Sequence, residues 1–171
     1  MQYQLPLQQF IENVSRHPDK PYLHQPYNRQ WRTFTWGEVD EQARRIAQGL
    51  FAHGLQAGDR VAILGQNSAE WFIADFAIMM AGMVSVPIYA TAGEPTIRHI
   101  LSHSGASAVF LGKLANVDAA NAAIDPQMLT IAFPYPTAAA KAKWDDWLRQ
   151  NEPLRDLHLP GKDDTFSLVY T

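Results

Sequence analysis

The sequence predicts a three-layer α/β fold, in which helices flank a mainly parallel sheet on both faces. From Arg60 onward, short apolar segments alternate with segments of helical periodicity. The apolar segments are hydrophobic at nearly every position, which is typical of parallel strands buried on both faces. No internal repeat or low-complexity tract interrupts this alternation, so βαβ units in one sheet account for the pattern. A chain of 171 residues is long enough for one domain with a substantial core.

The first element with clear signals is a helix from Trp36 to His53. Residues 1–32 show no clear periodicity, and we expect them to form an irregular N-terminal arm. Thr35 and Glu38 make a capping box, in which each side chain accepts a hydrogen bond from the other residue's backbone amide. Gly54 is a plausible C-terminal stop. Helical spacing predicts the buried face of this helix: Val39, Ala43, Ile46, Ala47 and Leu50.

The stretch from Trp71 to Ala90 approaches the length of a membrane-spanning helix. It contains Asp75, however, and its helix-forming residues give way midway to Val-Ser-Val-Pro-Ile-Tyr. We therefore interpret it as a buried helix, capped by Asn67 and ending near Gly82, followed by a buried strand. The other predicted elements are strands at 60–65, 84–90, 106–112 and 128–133, helices from 94, at 114–124 and at 137–150, a polar connection at 151–164 and a buried strand at 165–170.

Composition excludes several classes of function. The net charge of −3 gives no basic surface for nucleic acid. The chain has no cysteine, which excludes disulfides, thiolate zinc sites and a cysteine nucleophile. No basic segment followed by an apolar core marks a signal peptide at the N-terminus. Together these features are typical of a cytoplasmic protein without a transmembrane segment.

Familiar nucleotide and catalytic motifs are missing from the sequence. Gly112-Lys113 and Gly161-Lys162 lack the upstream glycine and the following Ser or Thr of a P-loop, and "LGQNSAEW" stands where a dinucleotide fingerprint would follow the first strand. No Gly-x-Ser-x-Gly elbow is present. We therefore assign no catalytic residue.

Two pairs of polar residues were considered as sites. His99 and His103 are four residues apart on a predicted helix, but no third ligand accompanies them, so partly exposed polar residues are the favoured interpretation and no metal site is assigned. Asp145 and Asp146 stand between Trp144 and Trp147, which indicates an amphipathic helix with its acids in water.

A ligand is expected at the carboxyl ends of the parallel strands, where crevices of such sheets bind ligands. The loops at that edge are residues 65–68, 90–93 and 112–113, together with whatever follows Thr171. Lys113 would place a positive charge there that suits a phosphate, although a solvated lysine is the more common case.

The stretch "TFTWGEVDEQARRIAQGLFAHGLQAGDRVAILGQNSAEWFIADFAIMMAGMVSVPIYATAGEPTIRHILSHSGASAVFLG", together with "DDTFSLVYT", resembles the N-terminal part of AMP-forming acyl-CoA synthetases. The form "VPIYAT" is similar to the long-chain fatty-acid branch. In this family a strand ending in Tyr-Thr runs into a Ser/Thr/Gly-rich loop with a lysine that wraps the phosphates of ATP. The resemblance implies that residues 1–171 are the N-terminal part of the AMP-binding domain, cut before that loop.

The resemblance also implies site residues and cofactors. Thr171 would begin the ATP phosphate loop, and Lys113 would lie near the nucleotide part of coenzyme A. The full-length parent would use ATP, magnesium and coenzyme A to convert a fatty acid first to acyl-AMP and then to a thioester. The fragment alone would be inactive, would bind none of these cofactors tightly, and would be prone to self-association. The resemblance to acyl-CoA synthetases is also compatible with peripheral membrane contact of the parent.

Three alternatives remain open at this point. Within the superfamily, the parent could be an acyl–acyl-carrier-protein ligase or an aryl ligase. From a different class, the chain could be a complete, non-catalytic flavodoxin-like module that binds a nucleotide or a protein.

Overall fold

The computed structural model describes residues 4–171. The helices are α1 (Pro6–Arg16), α2 (Trp36–Ala52), α3 (Ala69–Met80), α4 (Glu94–Ser104), α5 (Val117–Ala123) and α6 (Trp144–Gln150). The strands are β1 (Pro21–Tyr27), β2 (Gln30–Thr35), β3 (Arg60–Leu64), β4 (Val84–Ile88), β5 (Ala106–Leu111), β6 (Leu129–Ala132) and β7 (Ala142–Lys143). The three-layer α/β prediction is confirmed.

The main sheet has five parallel strands in the order β4-β3-β5-β6-β7. Helices α1, α2, α3 and α6 pack on one face, where Val61, Ile63 and Phe110 enter the core. Helices α4 and α5 cover the other face, against Leu64, Val86 and Val109. This alternation of side chains explains why the strands are apolar at every position.

Helix α2 forms as the sequence predicts. The Thr35 hydroxyl accepts a hydrogen bond from the amide of Glu38, and the Glu38 carboxylate accepts one from the amide of Thr35. Gly54 follows the helix with a positive φ of 88°. All five residues of the predicted apolar face are fully buried in the core.

The prediction of an irregular arm at residues 1–32 is wrong for residues 4–32, and its first three residues lie outside the described part of the chain. This part of the chain contains α1 and an antiparallel hairpin of β1 and β2. Phe10 of α1 stacks on Phe76 of α3 at a centroid distance of 4.1 Å, and Tyr22 stacks on Trp36 at 3.6 Å. These long-range aromatic contacts order the segment, although most hairpin side chains point to solvent and leave little periodic signal.

The prediction of a buried strand at 165–170 is also wrong. A single parallel bridge pairs Ser167 with Ser85 beside β4, and Ser85 makes backbone hydrogen bonds of 2.9 Å to Phe166 and 2.8 Å to Leu168. Val169 remains 69% exposed. The segment is docked at the sheet edge, but within the described chain no neighbour covers its outer side.

Three helix predictions need adjustment. Ser68, not Asn67, caps α3, because its hydroxyl accepts a hydrogen bond from the Trp71 amide. Helix α5 is shorter than predicted, and the predicted helix at 137–150 begins only at Trp144. Residues before it are held to the sheet, since the Thr130 hydroxyl accepts the Lys141 amide hydrogen. Within residues 4–171, no helix combines the length and hydropathy needed to cross a bilayer.

Candidate functional site

The loops at the carboxyl ends of the strands are connected to one another by backbone contacts. The Gln66 amide donates to the Lys113 carbonyl at 2.9 Å, and the Ala115 amide donates to the Ala90 carbonyl at 3.1 Å. The loops after β3, β4 and β5 therefore form one preorganised edge.

Two glycines allow the closest of these approaches. A side-chain carbon on Gly65 would lie 2.7 Å from the Cα of Gly112, a distance at which backbone would have to move. Because β3 is flanked by β4 and β5, the topological switch point lies between β3 and β5. Backbone contact between Gly65 and Gly112 fills this point.

A cleft of about 560 Å³ opens at the same edge of the sheet, on the β4 side of β3. Its walls are largely apolar and come from the first turn of α3, the end of β4 and the terminal segment: Trp71, Pro87, Ile88, Tyr89, Val169 and Tyr170. The amide side chains of Gln66 and Asn67 also line it. Among residues 4–171 no charged residue lines the cleft, so its chemistry suits a flat or elongated apolar group with hydrogen-bonding atoms at one end.

The two residues predicted to bind cofactor lie near this edge but do not line the cleft. Lys113 is partly buried, and its Nζ lies 4.4 Å from the centroid of the Tyr135 ring, in a cation–π contact. Thr171 is exposed and follows directly on Val169 and Tyr170, which do line the cleft.

A buried acid that the sequence analysis missed supports the same edge. Glu70, in the first turn of α3, is 2% exposed and accepts a 2.6 Å hydrogen bond from the Tyr135 hydroxyl. Gln25 of β1 accepts a hydrogen bond from the Ala69 amide at 2.9 Å. These contacts join the hairpin, α3 and the loop after β6. The local sequence shows only an acid in the first turn of a predicted helix, a pattern that reveals neither the burial of Glu70 nor its partner.

A second, mostly buried acid lies beside Ser85, the residue that holds the terminal segment. Burial raises the pKa of Asp75 above its ordinary value. The nearby Ser85 hydroxyl offsets part of this rise, yet it is buried and makes no hydrogen bond of normal distance and angle. Asp75 and Ser85 therefore place two polar side chains close together at the edge where residues 166–168 dock.

A magnesium–nucleotide complex requires oxygen ligands for the metal and positive or amide donors for the phosphates. Within residues 4–171 no group of three or more His, Asp or Glu side chains is placed to hold a metal. The cleft offers no cation and no glycine-rich loop for phosphates. These residues alone do not fit magnesium or a triphosphate.

The fold and this edge define a class: a three-layer α/β domain whose ligand cleft lies at the carboxyl ends of parallel strands. Residues 10–171 match the family model described as AMP-binding enzyme. The chain belongs to that family, within the adenylate-forming ligase superfamily. This membership favours the ligase interpretation over a flavodoxin-like module.

Curated relatives carry names of the same kind. The chain is 40% identical over 100 residues to long-chain-fatty-acid–CoA ligase FadD15 of Mycobacterium bovis, which covers 58% of this chain and 17% of the relative. It is 27% identical over 158 residues to human long-chain-fatty-acid–CoA ligase ACSBG2, covering 88% of this chain and 23% of the relative. It is 34% identical over 105 residues to the fatty acid–[acyl-carrier-protein] ligase ScoC of Streptomyces coeruleorubidus, covering 61% and 20%.

A solved structure shows the same fold. The anthranilate CoA ligase AuaEII in complex with anthranoyl-AMP superposes with a TM-score of 0.83 at 21% identity, covering 99% of this chain and 32% of that one. The chain thus spans about a third of this solved structure and about a fifth of the first curated relatives.

Proposed function

We propose that this chain forms the N-terminal part of the adenylation domain of an ATP-dependent ligase that activates a long-chain fatty acid and transfers it to coenzyme A. The observation that carries the proposal is the family match across residues 10–171, combined with relatives named long-chain-fatty-acid–CoA ligases. Its cytoplasmic location stays a prediction from the sequence.

The proposed reaction has two steps. A carboxylate oxygen of the fatty acid attacks the α-phosphorus of ATP, and the bond to pyrophosphate breaks to give acyl-AMP. The sulfur of coenzyme A then attacks the acyl carbon, and AMP leaves. Magnesium, which offsets phosphate charge in such reactions, would be held by residues outside those described.

The role proposed for this chain is to build one wall of the active site. The interlocked loops after β3, β4 and β5 would hold that wall rigid, and preorganised groups of this kind lower the cost of reaching the transition state. Thr171 would lead into the phosphate loop. Lys113 would contact the nucleotide part of coenzyme A after leaving the face of Tyr135.

The gene provides the first test. Translation beyond the codon for Thr171 should show a Ser/Thr/Gly-rich loop with a lysine. A stop codon at that point would contradict the proposal, because no such loop occurs within the 171 residues.

A substrate panel provides the second test. The protein encoded by the longer reading frame should release pyrophosphate when given ATP, magnesium and a long-chain fatty acid, and should do so less well with acetate or benzoate. Coenzyme A and an acyl carrier protein should be compared as acceptors, because one relative is named for the carrier protein. Thioester formation on the carrier protein alone would favour that second function. Preference for benzoate would overturn the fatty-acid assignment.

A further inference from the structure

Two histidines stand side by side on the exposed face of α4. The ring centroids of His99 and His103 are 5.4 Å apart and their planes are inclined by 31°. Both side chains are exposed. The sequence analysis favoured solvated polar residues here because it found no further partner for the pair.

The ring spacing matches what two imidazoles need to share one metal ion. A metal–nitrogen bond of about 2.0 Å places a ring centroid roughly 3.2 Å from the metal. Two such rings at a near-tetrahedral angle would have centroids roughly 5.2 Å apart. The observed centroid separation of 5.4 Å lies close to this value, so the two rings stand at a spacing that a shared metal ion allows.

The structure adds a third side chain that the sequence could not place. The Tyr170 hydroxyl lies 2.8 Å from Nδ1 of His103. The Tyr170 ring stands edge-on to both imidazoles, with centroids 6.3 Å from His99 and 5.7 Å from His103. When Nδ1 of His103 donates to this hydroxyl, Nε2 carries the free lone pair. Histidine ligands in proteins are commonly oriented by such a hydrogen bond at the other nitrogen.

We propose that His99 and His103 bind one divalent transition-metal ion, with Tyr170 orienting His103 and water completing the coordination. Imidazole ligands suit Cu²⁺, Ni²⁺ and Zn²⁺, and the nearest acid along the same helix, Glu94, is already paired with Arg98. Oxygen-preferring Mg²⁺ should not bind. His99 and His103 do not line the cleft, whereas Tyr170 does, so the two histidine variants test the metal site separately from the proposed ligase activity.

The proposal has a structural consequence for the terminal segment. Tyr170 belongs to the segment that Ser85 holds at the sheet edge. A metal bound to both histidines would fix the partner of Tyr170 and so stabilise the docked segment on α4.

Calorimetric titration of the chain with CuCl₂, NiCl₂, ZnCl₂ and MgCl₂ tests the site. We expect one Cu²⁺ per chain, affinity falling from Cu²⁺ to Ni²⁺ and Zn²⁺, and no Mg²⁺ binding. His99→Ala and His103→Ala should each weaken Cu²⁺ binding at least tenfold, and Tyr170→Phe should weaken it by up to about tenfold. His158→Ala is the matched control, since His158 is also exposed. Unchanged affinity in both α4 variants, or an equal loss in the control, would overturn the site.

Two further measurements test which side chains bind the metal and whether the metal stabilises the terminal segment. Electron paramagnetic resonance of the Cu²⁺ complex should show coupling to two imidazole nitrogens, and a one-nitrogen spectrum would contradict the shared site. Hydrogen exchange at the Leu168 amide, which bonds to Ser85, should slow when Cu²⁺ is added to the native chain and stay unchanged in His99→Ala. Equal slowing in both proteins would refute a link between the metal and the terminal segment.

Discussion

The Tyr135 hydroxyl donates a 2.6 Å hydrogen bond to the Glu70 carboxylate, joining the loop after β6 to the first turn of α3. Burial, followed by the hydrogen bond and charge of Glu70, raises the pKa of Tyr135 far above its ordinary value. Lys113 Nζ lies over the face of the same ring, 4.4 Å from its centroid. One tyrosine thus connects a buried acid with the lysine predicted to contact a cofactor.

Replacement of Tyr135 by Phe should destabilise the protein by about 1–3 kcal/mol, because the carboxylate of Glu70 would keep its burial and lose its hydrogen-bond donor. Urea denaturation measures this loss. Tyr89→Phe is the control, since Tyr89 is 77% exposed and should tolerate the change. Equal stability of Tyr135→Phe and the native chain would show that Glu70 finds another donor.

Asp75→Asn should stabilise the protein at neutral pH by on the order of 1 kcal/mol, because it removes a charge from a mostly buried position. The pKa of Asp75 is raised by burial above the ordinary value of 3.8, so the folded state binds this proton more tightly than the unfolded state does. The favourable contribution of protonated Asp75 is complete below the unfolded pKa and is lost as pH rises through the folded pKa.

The advantage of Asp75→Asn should therefore shrink as the pH is lowered towards 3.8. Denaturation curves at several pH values measure this change. Asp156→Asn, at an exposed position, should show no such trend. A stabilisation that persists unchanged in acid would contradict the burial argument.

Gly49→Ala should destabilise the protein although alanine favours helices. The added carbon would lie 2.5 Å from Cε3 of Trp147, which is buried against α2. Overpacking of this kind costs about 1–3 kcal/mol and exceeds the helix-propensity gain of about 1 kcal/mol. Thermal denaturation measures the net effect, and in a Trp147→Phe background the penalty should shrink. A more stable Gly49→Ala protein would show that the Trp147 ring moves at little cost.

The fold could be predicted wherever local signals and burial agreed. Helix α2 has a capping box and five buried residues at helical spacing, so its start and its buried face were both predictable. The hairpin was missed because only Gln25 and Phe34 of its strand residues are buried, which leaves no clear alternation.

The candidate site was less predictable, for a physical reason. The order of the strands predicts which loops lie at the carboxyl edge of the sheet. The shape of the cleft, however, depends on which loop backbones contact one another. The contact between Gly65 and Gly112 joins residues 47 positions apart, so it forms only when the chain folds. Glu70 finds Tyr135 at a separation of 65 residues, and His103 finds Tyr170 at a separation of 67. Contacts between residues this far apart in the sequence cannot be predicted from local sequence patterns.

Self-association of the 171-residue chain is expected at high concentration. Val169 is 69% exposed, Phe166 39% and Phe72 42%, all beside or near the β4 edge. Exposed apolar groups at a sheet edge favour association. Sedimentation over a wide concentration range should show growing mass, which Val169→Asp at the sheet edge should reduce more than Trp31→Asp on the hairpin, although Trp31 is 72% exposed. A clean monomer at every concentration would contradict the expectation.

The 171-residue chain alone should release no pyrophosphate in response to fatty acid, whereas the product of the longer reading frame should. The cleft at the carboxyl edge has apolar walls and two amide side chains but no charged lining. Donors that neutralise the charge developing on a leaving pyrophosphate usually supply much of the catalysis, and these residues offer none beyond Lys113, which lies on Tyr135. Tight ATP binding should be absent for the same reason.

Calorimetry with ATP and a pyrophosphate-release assay, run on both proteins, measure the difference. A Lys113→Ala variant of the longer protein tests the proposed contact with coenzyme A. That variant should form acyl-AMP normally and need more coenzyme A for thioester formation. Turnover by the 171-residue chain would require a complete phosphate site within it. That result would contradict the proposal that the phosphate-binding groups lie outside these residues.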